Sequence, residues 1–110
     1  MVSTNYRSCL SRAYYAAYSR VTNELEKQGV VFPQDREGPN HPGMTGRGGI
    51  RRLIESNMQT PYEPQRLKLS EWIGRLYTLR IDADYRPSVA IDARDAREAI
   101  SIMKNVFDLV

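Results

Sequence analysis

A single cysteine, Cys9, leaves the chain without an internal disulfide, and a single histidine, His41, leaves no cysteine and histidine cluster to hold zinc. Both facts suit a reducing compartment, and a cytoplasmic location is the expectation. No apolar run reaches the roughly 18 to 20 residues that a membrane span needs. The opening residues Met1 to Arg7 also lack the apolar stretch of a signal peptide, so no membrane partner is expected. Lysine is scarce: Lys27, Lys68 and Lys104 stand against 13 arginines. Arginine is the better phosphate fork. The net charge of +3, with 13 acidic residues interspersed, is nevertheless small for a dedicated nucleic-acid binder. RNA is a candidate partner on residue type, while the bulk of the charge reads as solvated surface.

What is present reads as one folding unit. A chain of 110 residues has room for a single domain, residues 1–110, around one modest core. From Asn5 to about Gln28, the positions Tyr6, Leu10, Ala13, Tyr14, Ala17, Val21 and Leu25 follow the three- and four-residue steps of one helical face. Thr4 or Asn5 is placed to cap that helix, and Gly29 to end it. Five of the seven glycines and three of the six prolines lie between Phe32 and Gly49, which predicts a flexible loop over about 33–49. A short helix from about Gly49 to Met58 follows, with Ile50, Leu53, Ile54 and Met58 inward. Pro64 opens a third helix running to about Asp84, its core stripe Leu69, Trp72, Ile73, Leu76, Leu79 and Ala83. Asp92 caps a fourth, flanked by the hydrophobic staple Ile91 and Ala96, with Ile100, Met103, Val106, Phe107 and Val110 completing the inward set. The expected fold is all-α, an antiparallel up-and-down bundle of about four helices.

Catalytic patterns are few. His41 sits between Asn40 and Pro42 in the glycine and proline loop, where a surface role is the simpler reading than a general base. The run Gly43 to Gly49 with Arg47, Arg51 and Arg52 has the composition of an anion cradle, but it lacks the lysine and Ser/Thr pair of a phosphate-binding loop and any preceding strand. Asp82 and Asp84 are two apart, so a helix points them to different sides, and neither a metal nor another cofactor is expected. Tyr14 falls with the core stripe. Tyr15 and Tyr18 share a neighbouring face that reads as packing or dimerisation surface, with base stacking as the alternative.

Two segments go beyond composition: Ser11-Arg12-Ala13-Tyr14-Tyr15-Ala16-Ala17-Tyr18, and Leu79-Arg80-Ile81-Asp82-Ala83-Asp84-Tyr85. Together, followed by the Asp-capped, alanine-rich stretch Asp92 to Ala99, they resemble a HEPN domain over about Asn5 to Val110. The resemblance implies a helical bundle that often dimerises and serves in prokaryotic toxin and antitoxin pairs, phage defence or RNA processing. The tyrosine-rich helix itself reads as an assembly surface with Arg12, Tyr14, Tyr15 and Tyr18 as its interface or binding residues, and the resemblance implies a homodimer or a protein partner such as a nucleotidyltransferase. Many members are metal-independent ribonucleases built on an arginine followed after four to six residues by a histidine. Arg80 matches the arginine, but Ile81 to Pro87 contain no histidine. An aspartate or tyrosine does not replace an imidazole that exchanges protons near pH 7. The expectation is therefore a protein acting by association and by binding RNA or a nucleotide. The alternative is an atypical ribonuclease with Arg80, Asp84 and Tyr85 as its catalytic candidates. Only ten residues precede Ser11, fewer than the family's first helix usually provides, which predicts an apolar strip covered by a partner or a second copy.

Overall fold

The computed structural model describes residues 2–30 and 49–110. They form α1 (Val2–Lys27), α2 (Ile50–Ser56), α3 (Gln65–Tyr85) and α4 (Ala93–Leu109), with no strand among the described residues. The all-α bundle expected from periodicity is what forms. Most of the predicted loop, and His41 and Arg47 with it, lies outside the described residues.

Along α1, Leu10, Ala13, Tyr14, Ala17, Val21 and Leu25 are buried, so one side of the helix is desolvated over more than four turns. The helix already runs at Val2, which places the expected caps Thr4 and Asn5 inside it. A capping preference is local, and it does not fix a boundary where the flanking residues also accept helical geometry. The end is sharper. Gly29 adopts φ 84°, the Gly29 N–H donates to Glu26 O and the Val30 N–H donates to Leu25 O, both at 3.0 Å. This is a Schellman closure, and its left-handed residue is one that a side chain would strain.

The hub is α3. Its buried residues Leu69, Ile73, Leu76, Leu79 and Ala83 face the other three helices, while Trp72 is only half-buried. Tyr14 meets Tyr77, and Arg7 meets the carbonyls of Asp82 and Ala83, so α3 runs opposite to α1. Arg51 bonds Ser70 while Arg66 reaches Met58 O, which sets α2 antiparallel to α3 as well. α4 returns beside α3 after the short connection 86–92. It follows that α1 and α4 run the same way, side by side. Burial of a large aliphatic side chain contributes roughly 1.5–3 kcal/mol. Leu10, Leu25, Ile50, Ile54, Leu69, Ile73 and Leu76, all fully buried, are the principal apolar contributors.

The predicted α4 stripe is partly displaced. Ala96 and Val106 are buried as expected, but the rest of the core face is Ala99 and Ile102. Ile100, Met103 and Val110 are half-buried and Phe107 is exposed. Apolar residues at 99, 100, 102, 103, 106 and 107 span an arc wider than one packed stripe, so packing against α1 and α3 selects which part is desolvated. Asp92 caps α4 through a capping box: its carboxylate accepts from the Arg94 and Asp95 N–H groups, and Asp95 accepts from the Asp92 N–H. Among the described residues, no helix is long and apolar enough to cross a membrane.

Candidate functional site

The two motif segments meet in space. On α1, Ser11, Tyr14, Tyr15 and Tyr18 lie three, four and seven residues along from Ser11, on the side that turns toward α3. On α3, Tyr77, Arg80 and Asp84 lie at steps of three and four, and Tyr85 ends the helix. The Arg80 guanidinium carbon stands 5.8, 5.2 and 5.1 Å from the ring centroids of Tyr14, Tyr15 and Tyr85. Its Nη2 donates to the hydroxyls of Tyr15 at 2.6 Å and Tyr85 at 3.4 Å. An arginine is thus held among three phenol rings, an arrangement worth roughly 0.5–2 kcal/mol for each well-placed ring.

Asp84 neutralises that cation. Its Oδ2 lies 2.9 Å from Arg80 Nε, an ion pair whose angle falls short of a hydrogen bond, and accepts from Ser11 Oγ at 3.3 Å. Burial by itself would pull the Arg80 guanidinium down, but Tyr15, Tyr85 and Asp84 outweigh it and hold Arg80 above its ordinary value. Burial pushes the Tyr14 phenol far up, and Tyr18 adds to that while Arg80 offsets part of it, so Tyr14 stays a neutral packing residue. Burial also raises Tyr18. Tyr14 packs its ring 5.2 Å from Tyr15, 5.7 Å from Tyr18 and 5.8 Å from Tyr77. The outward-facing members are Tyr15 and Tyr85, 48% and 63% exposed. They present aromatic surface beside a fixed guanidinium.

Arg7 supports this end of α3. Its guanidinium donates to the carbonyls of Asp82 at 3.1 Å and Ala83 at 2.9 Å, and to Val89 O beyond the helix. Those carbonyls lack partners within the helix, and a cation there also suits the helix dipole. Nothing in the sequence marks Arg7 for that role, because its partners lie more than 70 residues away. Tyr77, half-buried on α3, is likewise not marked by the sequence as part of this cluster.

The remaining candidates lie elsewhere. Arg12 is exposed on the far edge of α1, where it lines a groove against α4. Arg51 turns toward α3, donating to Ser70 Oγ at 3.0 Å, and Ser70 in turn donates to Glu55. Arg52 is exposed, so Arg51 and Arg52 do not converge on one anion position. Asp82 and Asp84 diverge as expected, Asp82 facing Arg86 at 3.7 Å. Comparison with known proteins finds no matching protein family, no matching curated protein and no matching solved structure.

Proposed function

We propose that the chain is a HEPN-like helical protein that acts by association with a protein partner, and that it binds RNA or a nucleotide at the Tyr15, Arg80 and Tyr85 cluster. The observation that carries this reading is the placement of the Arg80 guanidinium against two exposed phenol rings, contributed by the two resembling segments. Aromatic faces stack bases without regard to sequence, and an adjacent guanidinium adds cation–π and polar contact. Because Asp84 pairs with Arg80, the cluster brings little net charge, which favours stacking on a base over capture of a phosphate alone. The alternative, a metal-independent ribonuclease, would rest on Arg80, Asp84 and Tyr85, since Ile81 to Pro87 supply no histidine after Arg80. The biological setting that goes with this reading is a prokaryotic toxin and antitoxin or phage-defence pair.

Calorimetric titration of the full chain with a single-stranded RNA oligonucleotide tests it. Loss of one stacked base contact weakens affinity by about 1–3 kcal/mol. Tyr85→Ala and Tyr15→Ala should each show a loss of that order, and unchanged affinity in both variants would refute the reading. Cleavage of the oligonucleotide that Arg80→Ala abolishes would establish the ribonuclease instead.

A further inference from the structure

On the other flank of the exposed α1 ridge lies a groove of about 530 Å³, floored by Cys9, Ala13 and Ala16 of α1 and walled by Ile100 and Met103 of α4. It is the part of the wide α4 apolar arc that the core does not use, and the small residues opposite keep it open. The exposed helix faces beside it are basic. Arg94, Arg97 and Lys104 are exposed at steps of three and seven on the outer face of α4, and Arg12 lines the α1 side. No described acid forms a salt bridge with any of these four cations. Beside the groove the exposed α1 positions Ser8, Arg12, Tyr15 and Ser19 include no acid, Glu26 lying two turns further along, and Asp108, one turn beyond Lys104, is the one carboxylate on the outer α4 stripe.

We infer that this α1–α4 groove takes an acidic amphipathic helix of a different protein. This deepens the association half of the reading above and does not depend on RNA binding at Tyr15. The charge selects the occupant. A second copy would bring the same four cations against these four, and like charges across an interface oppose it. A nucleic-acid backbone would satisfy the cations but leave the apolar wall of Ile100 and Met103 without a counterpart. A helix with leucines at i, i+3, i+4 and i+7 and glutamates beside them satisfies both.

The test is a titration of the isotope-labelled full chain, followed by amide chemical shifts, with a helical peptide of that Leu and Glu pattern and a twin carrying Lys in place of Glu. The acidic peptide should move the resonances of Ala13, Ala16, Ile100 and Met103, and the basic twin should not. The double variant Arg97→Glu, Lys104→Glu, both exposed and checked for unchanged helicity, should lose about tenfold in affinity for the acidic peptide, or 1.4 kcal/mol, and gain for the twin. The inference fails if neither peptide moves those resonances, if both do so equally, or if the charge reversal leaves the acidic peptide's affinity unchanged. It also fails if single-stranded RNA occupies the groove in preference to the acidic peptide, or if the chain alone forms a dimer that Ala16→Arg disperses. Shifts at Tyr15 and Tyr85 on adding RNA report on the nucleic-acid reading separately, so either can fall while the other stands.

Discussion

Arg80 of α3 donates to the hydroxyl of Tyr15 on α1 at 2.6 Å while its guanidinium carbon lies 5.2 Å from the centre of the same ring. One residue thus satisfies a polar and an aromatic contact across the α1–α3 seam, and the candidate site is part of what joins those helices. Tyr15→Phe keeps the ring and removes the acceptor. It should cost about 0.5–1.5 kcal/mol in urea unfolding. A double-mutant cycle with Arg80→Ala should return a coupling of that size, and a coupling near zero would contradict the contact.

Arg7 closes the carboxyl end of α3 by donating to the carbonyls of Asp82, Ala83 and Val89. Hydrogen bonds to a charged group contribute about 1.5–3 kcal/mol, and Arg7→Met should lose an amount in that range. Amide exchange should accelerate at Asp84 to Val89 while the middle of α4 is unchanged. Uniform acceleration along the chain would instead assign Arg7 to general packing.

Gly74 sits beneath the Arg51 side chain, and a Cβ there would lie 3.0 Å from Nη1 and 3.2 Å from Cζ. Alanine is the better helix residue by about 1 kcal/mol, but Arg51 is held in place by its bond to Ser70. Gly74→Ala should therefore show no gain in the native chain and a gain of up to about 1 kcal/mol in an Arg51→Ala background. Equal effects in both backgrounds would show that Arg51 yields without cost.

Two carboxylates tie stability to acid pH. The bidentate contact from Arg75, at 2.7 and 2.9 Å, holds Glu98 below its ordinary value of 4.5. Backbone donation from Asp95 and then Arg94 holds Asp92 below 3.8. A folded-state value below the unfolded one adds stability that is complete above the ordinary carboxylate range and fades as pH falls through the folded value. Thermal stability should thus decline from about pH 4.5 downward. Glu98→Gln should flatten part of that decline, with the loss near pH 7 limited to about 0.2–1 kcal/mol because the pair is open to solvent. Asp92→Asn keeps a good cap but removes the titration there. A variant carrying both substitutions with an unaltered acid slope would remove these two groups from the account.

Helix positions were legible because each helix repeats its apolar residues at three and four steps, and because Gly29 and Asp92 carry termination and capping chemistry that acts within a few residues. The α4 core was only half legible, since its apolar residues cover an arc broad enough for two registers. Of the candidate site, Tyr15, Arg80, Asp84 and Tyr85 stood out through the paired segments. Ser11 was visible within its segment, while Tyr77 and Arg7 were not marked as parts of the site, because their partners are distant in the chain.

The sequence by itself determined that Tyr14 joins the core, that Tyr15 lies on the neighbouring face, and that Arg80, Asp84 and Tyr85 close the third helix, since local periodicity and spacing fix which residues share a helical face. Tertiary packing decided which faces meet. With α3 as hub and α1 and α4 parallel on its flanks, Ser11 and Tyr15 come against Arg80 and Asp84, while Ile100 and Met103 are left beside Arg12. Those pairings depend on how whole helices desolvate against one another, a property of the assembled bundle that no local stretch of residues contains.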